Sequence, residues 1–194
     1  MRIFGIILAG GEARRMGADK ALVPLAGRPL LAHVRDRLEP QVEALAVSAN
    51  GDPARLAAFG LPVLADDRPL GPLSGILRGL RWAAGQGADA LVSAPVDAPF
   101  LPGDLTPRLI LAADGPHFAI ARAGDRLHPT FGLWPVALAP VLAGFLASGA
   151  KPKVMDFATA HHAAIADFPD DGAFANLNTP QDLLAAETLL GGGA

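Results

Sequence analysis

Residues 6–31 read IILAGGEARRMGADKALVPLAGRPLL, and how that stretch is understood decides the fold. Together with the residues just before it, it begins as RIFGIILA (2–9), apolar at successive positions and therefore on both faces of an extended chain. A strand buried on both faces belongs in the middle of a parallel sheet covered by helices. The chain then leaves through Gly10 and Gly11, residues that tolerate positive φ and close approach of a ligand to the backbone. Free amides in such a turn form a concave seat for an anion. Arg14 or Arg15, and Lys20, add positive charge, forked from arginine and point-like from lysine. A surface turn with solvated cations and a seat for phosphate remain equally open on this chemistry. No Gly-Lys-Ser/Thr ending makes a P-loop, and no Gly-x-Gly-x-x-Gly makes a dinucleotide fingerprint, so a dehydrogenase-type domain is excluded.

Downstream, short apolar runs alternate with amphipathic ones. PLLAHVRDRLE (29–39) predicts a helix with Leu31, Val34 and Leu38 at helical spacing; EALAVSA (43–49) predicts a second strand. DPARLAAFG (52–60) reads as a short helix closed by Gly60, and LPVLAD (61–66) as a third strand. From Leu73 a helix places Leu73, Ile76, Leu77, Leu80 and Ala84 on one face, followed by the strand ADALVSA (88–94). Asp104 is placed to cap the next helix. Residues 117–135 read as two antiparallel strands around Gly124-Asp125. A helix over about 136–147, a basic turn KPKVMDF (151–157), a strand AAIADF (163–168) and a last helix follow. Thr179, Pro180 and Asp182 fall at N-cap, N1 and N3 of that last helix, an approximate capping box. The alternation predicts an α/β fold: three layers, Rossmann-like, with a mainly parallel sheet and an antiparallel excursion in the C-terminal half. In such sheets ligands gather beyond the carboxyl ends of the strands.

A chain of 194 residues suits one domain with a substantial core. Half the residues (51%) are hydrophobic and 18% charged, which excludes a disordered chain. The net charge of −3 gives no global field for nucleic acid, so any anion site is local. The absence of cysteine excludes disulfides, thiol catalysis and thiolate-held zinc. Ile3–Ala9 reads as a strand rather than a signal-peptide core, and no run reaches the length of a membrane helix. The expectation is a soluble cytoplasmic protein.

Two carboxylates close strands: Asp66 in PVLAD and Asp97 in LVSAPVDAPF. Aspartate there often only caps or turns the chain, yet Mg²⁺ bound with a nucleotide needs just one or two carboxylates, phosphate and water supplying the rest. The Ala-Pro-Phe-Leu-Pro run after Asp97 would hold it stiffly. Asp67 reads as a solvated neighbour and His33 as a helix-surface residue. His161 and His162 are adjacent and make no metal pair. His128, in LHPTFG, is the histidine placed nearest a site. No serine sits in a Gly-x-Ser-x-Gly elbow, so acyl-enzyme chemistry has no support.

LAGGEARRMGADKALVPLAGRPLL resembles the nucleotidylyltransferase signature Leu-Ala-Gly-Gly-x-x-x-Arg-Met-Gly-x-x-Lys. With GPLSGILRGL (71–80), PVDAPFLP (95–102), HPTFGLWP (128–135), KPKVMDF and FANLNTPQDL (174–183) in order, nearly the whole chain resembles the molybdenum cofactor guanylyltransferases (MobA). The resemblance implies a nucleotide-diphospho-sugar transferase type of fold over 1–194. Residues to about 105 would form the nucleotide-binding part, and about 106–194 the molybdopterin-side part. It implies transfer of GMP from GTP to Mo-molybdopterin, with pyrophosphate released and Mg²⁺ as cofactor. Position by position, it assigns Leu8, Ala9, Gly10 and Gly11 to the nucleotide, Arg15 and Lys20 to the triphosphate, Asp66 to the nucleoside and Asp97 to Mg²⁺. The family often has Asn where this chain has Ser48; Asn50 stands two residues on, and either would meet the nucleoside. His128, Asn176 and Asn178 are assigned to the substrate side. Catalysis would then rest on Arg15, Lys20 and Asp97, with the pterin phosphate itself as nucleophile and no protein base required. Protein partners would be those that deliver molybdopterin and those that receive the product. A cytidylyltransferase, a sugar-1-phosphate nucleotidylyltransferase and a non-catalytic nucleotide-binding module remain as alternatives.

Overall fold

The computed structural model describes residues 1–10, 19–114, 117–148 and 152–191. Its centre is β1 (Ile3–Leu8), five of whose six residues are buried. Its two faces diverge in sequence order. Ile3 and Ile7 pack with Leu31, Val34 and Leu38 of α1 (Leu30–Leu38), while Phe4 and Ile6 pack with Leu73, Ile76 and Leu80 of α2 (Pro72–Gly85). That is the expected consequence of an apolar run with period two on both sides. The apolar face of α2 takes in Ala83, not Ala84, which is exposed.

Nine strands are described. A short hairpin of β2 (Pro24–Leu25) and β3 (Arg28–Pro29) turns on Ala26 and Gly27, both at positive φ, as a two-residue turn of that hand requires. The other seven form one sheet in the order β5-β4-β1-β6-β8-β7-β9: β4 is Ala44–Ser48, β5 Val63–Leu64, β6 Ala90–Pro95, β7 Ala119–Ala123, β8 Arg126–Pro135 and β9 Ala164–Phe168. Only β8 runs against the rest, between β6 and β7. The expected antiparallel excursion is therefore one reversed strand, after which the parallel direction resumes. The third strand contracts to two residues, and the helix before it is 3-10 over Pro53–Phe59, closed by Gly60 at φ 67°.

Leu8 lies level with Ser48 on one side and Pro95 on the other, so the carboxyl ends of β4, β1 and β6 form one edge. The chain order reverses at β1, which makes that edge the topological switch point of the sheet. Helix α2 comes unusually close to it. A Cβ on Gly79 would stand 2.7 Å from Leu91 Cδ2, and one on Gly75 would collide with Ser48 Oγ.

The second layer of helices consists of α2, α4 (Ala139–Ala147) and α5 (Val154–Ala160), around Trp134, Leu142 and Phe157; α3 (Leu105–Ala113) joins α1 on the opposite face. Helix α5 occupies most of what reads as a basic turn, with Lys153 at its N-cap; Lys151 lies outside the described residues. Asp104 stands at the N-cap of α3, but its carboxylate pairs with Arg108 at 2.5 Å instead of capping. The last helix, α6 (Pro180–Gly191), realises its capping box: the Asp182 amide donates to Thr179 Oγ1 at 3.1 Å and the Thr179 amide to Asp182 Oδ2 at 2.8 Å. It covers the hairpin through a small cluster of Val23, Leu25, Leu30, Leu177 and Ala186. His33 is no free surface residue, since its Nε2 meets the Leu25 carbonyl at 2.9 Å and ties α1 to the hairpin. No helix among the described residues is long and apolar enough to cross a membrane.

Candidate active site

Two clusters stand along the carboxyl edge. The first gathers around Asp66, just past β5. Its carboxylate accepts from Ser48 Oγ at 3.2 Å and from Asn50 Nδ2 at 3.3 Å, and its amide donates to Asn50 Oδ1 at 2.9 Å. Ser48 and Asn50 therefore both belong to this cluster, each holding one carboxylate oxygen of Asp66. Burial pushes the Asp66 carboxyl above the ordinary carboxylate value, and the Asn50 and Ser48 donors pull the other way. Gly10 faces this cluster: a Cβ there would lie 3.6 Å from Asn50 Nδ2 and 3.8 Å from Asp66 Oδ2. The Leu8 carbonyl already accepts from the Val96 amide, and the Ala9 amide donates to the Ser48 carbonyl. Those two backbone groups belong to the sheet, so a ligand at the strand exit meets backbone from the Ala9 carbonyl onward.

The second cluster centres on Lys20. Its ammonium lies 2.6 Å from Asp97 Oδ2 and 2.6 Å from Asn178 Oδ1. Asp97 follows β6 and is fixed from behind, its carbonyl accepting the Leu177 amide at 2.8 Å. Asn178 is presented by the turn into α6, its own amide donating to Asp182 Oδ2 at 2.8 Å. The extremes of the chain therefore converge on one ammonium group. Among the described residues two of its three N–H bonds are engaged, which leaves a third to meet an incoming anion.

Two side chains with no sequence motif also belong here. Asp19 caps the 3-10 turn that carries Lys20, accepting from the Ala21 amide at 3.1 Å. Arg55, on the 3-10 helix after β4, reaches Asp19 Oδ2 with Nη1 at 3.0 Å and donates from Nη2 to the Asn50 carbonyl at 2.9 Å. An acid directly before the lysine is a recognisable cap signal; Arg55 had no signal at all.

His128 stacks on Phe174, ring centroids 4.6 Å apart, and its Nε2 lies 3.5 Å from Asp171 Oδ1. Burial holds its pKa below 6.5, with Asp171 opposing. The register of β8 jumps there, Ile120 facing Gly132 and Ala121 facing His128, so that Pro129 to Phe131 leave the ladder. His128 is thus at the same edge of the sheet, but no hydrogen bond joins it to Lys20, Asp97 or Asn178 among the described residues. Asn176 is exposed and likewise unjoined to that cluster. Gly11 and Arg15 lie outside the described residues.

Asp97 Oδ1 is buried and has no hydrogen-bond partner among the described residues. A buried carboxylate oxygen left over in this way suits a hard cation. No cage of three or more His, Cys, Asp or Glu exists among the described residues, so such a cation would take its remaining ligands from phosphate and water. The edge as a whole offers a polar cluster at Asp66, beside the open backbone of Gly10, and a cation–carboxylate pair at Lys20 and Asp97.

Comparison with known proteins agrees with that geometry. Residues 5–164 match the MobA-like NTP transferase domain. A molybdenum cofactor guanylyltransferase of Cereibacter sphaeroides is 64% identical over 191 residues, 98% of each chain. One from Rhodobacter capsulatus is 52% identical over 194 residues, covering 98% of this chain and 97% of its own. The crystal structure of molybdopterin-guanine dinucleotide biosynthesis protein A from Archaeoglobus fulgidus superimposes with a TM-score of 0.75 at 20% identity, covering 97% and 99% of the two chains; that likeness concerns the fold.

Proposed function

From the premise that the chain belongs to the MobA-like NTP transferase family, and so to the nucleotidyltransferases, we propose that it transfers GMP from GTP to Mo-molybdopterin. The products are molybdopterin guanine dinucleotide and pyrophosphate. The observation that carries the reading is the Lys20–Asp97–Asn178 cluster beside the Asp66 cluster, in a chain 64% identical to a named guanylyltransferase over 98% of its length.

On this reading the terminal phosphate of the pterin attacks the α-phosphorus of GTP in line. The new P–O bond forms as the bond to the β-phosphate oxygen breaks, and pyrophosphate leaves with the electron pair. Near neutral pH the attacking phosphate oxygen carries no proton that must be removed, so the protein supplies position and charge. Gly10 lets the nucleoside approach the backbone, and Asp66, held by Ser48 and Asn50, orients it. Lys20 contributes an N–H to the triphosphate. Asp97 would hold Mg²⁺ through Oδ1; the ion would neutralise charge on the triphosphate and lower the energy of the departing pyrophosphate. His128 and Asn176 stand toward the pterin side. The enzyme works in the cytoplasm, taking its second substrate from one protein partner and passing its product to another.

The test is to incubate the protein with Mg²⁺, molybdopterin and each of GTP, CTP, ATP and UTP, and to follow pyrophosphate release. Selective turnover of GTP is expected. Preference for CTP would replace the guanylyl assignment by a cytidylyl one, and binding without pyrophosphate release would leave a nucleotide-binding module.

A further inference from the structure

We propose that Arg55 is a positioning residue that couples the nucleoside end of the site to the lysine at its phosphate end, an inference that rests on the guanylyl-transfer reading. No sequence motif marks it; the geometry does. Its guanidinium spans two turns that are otherwise separate in sequence. Nη2 donates to the Asn50 carbonyl at 2.9 Å, and Asn50 holds Asp66 through both its amide atoms. Nη1 stands 3.0 Å from Asp19 Oδ2 as an ion pair without an aligned hydrogen bond, and the other oxygen of Asp19 caps the turn on which Lys20 sits.

The pair is sheltered, Arg55 being 28% and Asp19 24% exposed, so solvent screens it less than a surface ion pair. The backbone beneath Arg55 is well anchored. Asp52 caps its 3-10 helix by accepting from the Ala54 amide at 2.9 Å, Leu56 is buried, and Gly60 closes it. A planar guanidinium can donate to a carbonyl from one arm while the other arm faces a carboxylate as an ion pair, a division that a lysine ammonium on a flexible stem makes less well. Arg55 therefore sets the spacing between the Asn50 turn and the Lys20 turn. Lys20 is held from the far side by Asp97 and Asn178, so Arg55 and Asp19 supply the support from the nucleoside side.

Such a role predicts an effect that depends on the phosphates of the ligand. GTP and GMP share the nucleoside, and only GTP carries the outer phosphates that Lys20 would meet. Calorimetric titration of Arg55→Gln with each nucleotide in Mg²⁺ should show GTP weakened about tenfold, within the range for coupled neighbours, and GMP unchanged. In a Lys20→Ala background, Arg55→Gln should weaken GTP no further, because its route to the phosphates has been removed. Should Arg55→Gln fail to fold, as judged by its thermal midpoint, Asp19→Asn keeps the cap acceptor, removes the ion pair, and carries the same expectation. Equal weakening of GMP and GTP would confine Arg55 to the Asn50 turn and overturn the coupling, as would unchanged GTP affinity or additive losses in the double variant. A wild-type chain that binds no GTP overturns the underlying reading instead, which separates the two failures.

Discussion

Replacing Lys20 by alanine separates the two jobs that one ammonium group performs. In the fold it neutralises Asp97 and holds Asn178, each at 2.6 Å. The pair is 26% and 17% exposed, between a surface ion pair and a buried one. Surface pairs contribute about 0–1 kcal/mol and breaking a buried one costs about 3–5 kcal/mol, so about 1–2 kcal/mol of stability should be lost. For a chain of this size that is a fall of about 2–8 °C in Tm. In the proposed reaction the same group would face charge that develops on the triphosphate. Removing one preorganised donor of that kind costs about 10²–10³ in kcat. The two effects are readable in one preparation, by a circular-dichroism melt and by pyrophosphate release at saturating GTP and molybdopterin. A folded variant, modestly less stable and about 10²–10³ slower, is expected. Near wild-type turnover with the same fall in Tm would refute the reasoning, because it would leave Lys20 as a structural tie and nothing more.

Three further perturbations test the surroundings. Folding raises the Asp66 carboxyl above its ordinary 3.8, so its contribution to stability is fully present below 3.8 and is lost as pH rises through the folded value. Wild-type stability relative to Asp66→Asn should accordingly fall as urea melts are stepped upward from that pH and then level off; a difference independent of pH would contradict the burial argument. Gly75→Ala puts a methyl against Ser48 Oγ, 3.1 Å from Ser48 Cβ and 3.0 Å from Leu8 Cδ2. Overpacking of about 1–3 kcal/mol should outweigh a helix-propensity gain of about 1 kcal/mol, and nucleotide affinity should fall with it as Ser48 is pushed off Asp66; a more stable variant would refute the close approach. Thr179→Ala removes the cap acceptor of α6 and should cost about 1 kcal/mol in urea denaturation, whereas an unchanged midpoint would show the box to be unused.

Periodicity carried most of the fold because the parallel core is built from short, continuously apolar runs. β1, β4 and β6, the helices that cover them and the capping box at Thr179 all announce themselves in this way. What stayed hidden was set by contacts between distant segments. LPVLAD reads as a six-residue strand, yet only Val63 and Leu64 pair, beside Val47 and Ser48, so the length of β5 was the hidden part. Asp104 looks like a helix cap until Arg108, one turn on, takes its carboxylate. The resumption of parallel direction after β8 depends on β9 pairing with β7, more than forty positions downstream, which no local pattern encodes. The site divides similarly. Lys20, Asp66 and Asp97 follow strand ends or a glycine turn and could be picked out; the family pattern marks Asn178 but assigns it to the substrate side, and nothing in the sequence places it on Lys20. Arg55 acts through the geometry of its guanidinium between two turns, and geometry of that kind leaves no spacing to read.

The contact between Lys20 and Asn178 joins positions 158 residues apart. During synthesis the sheet strands β1, β4 and β6 can pair once about half the chain has emerged, yet the Lys20 cluster stays unfinished until the turn into α6 has left the ribosome. The final segment thus works as a completion signal: a chain cut short before Leu177 would keep β1, β4 and β6 but lack the Asn178 contact to Lys20.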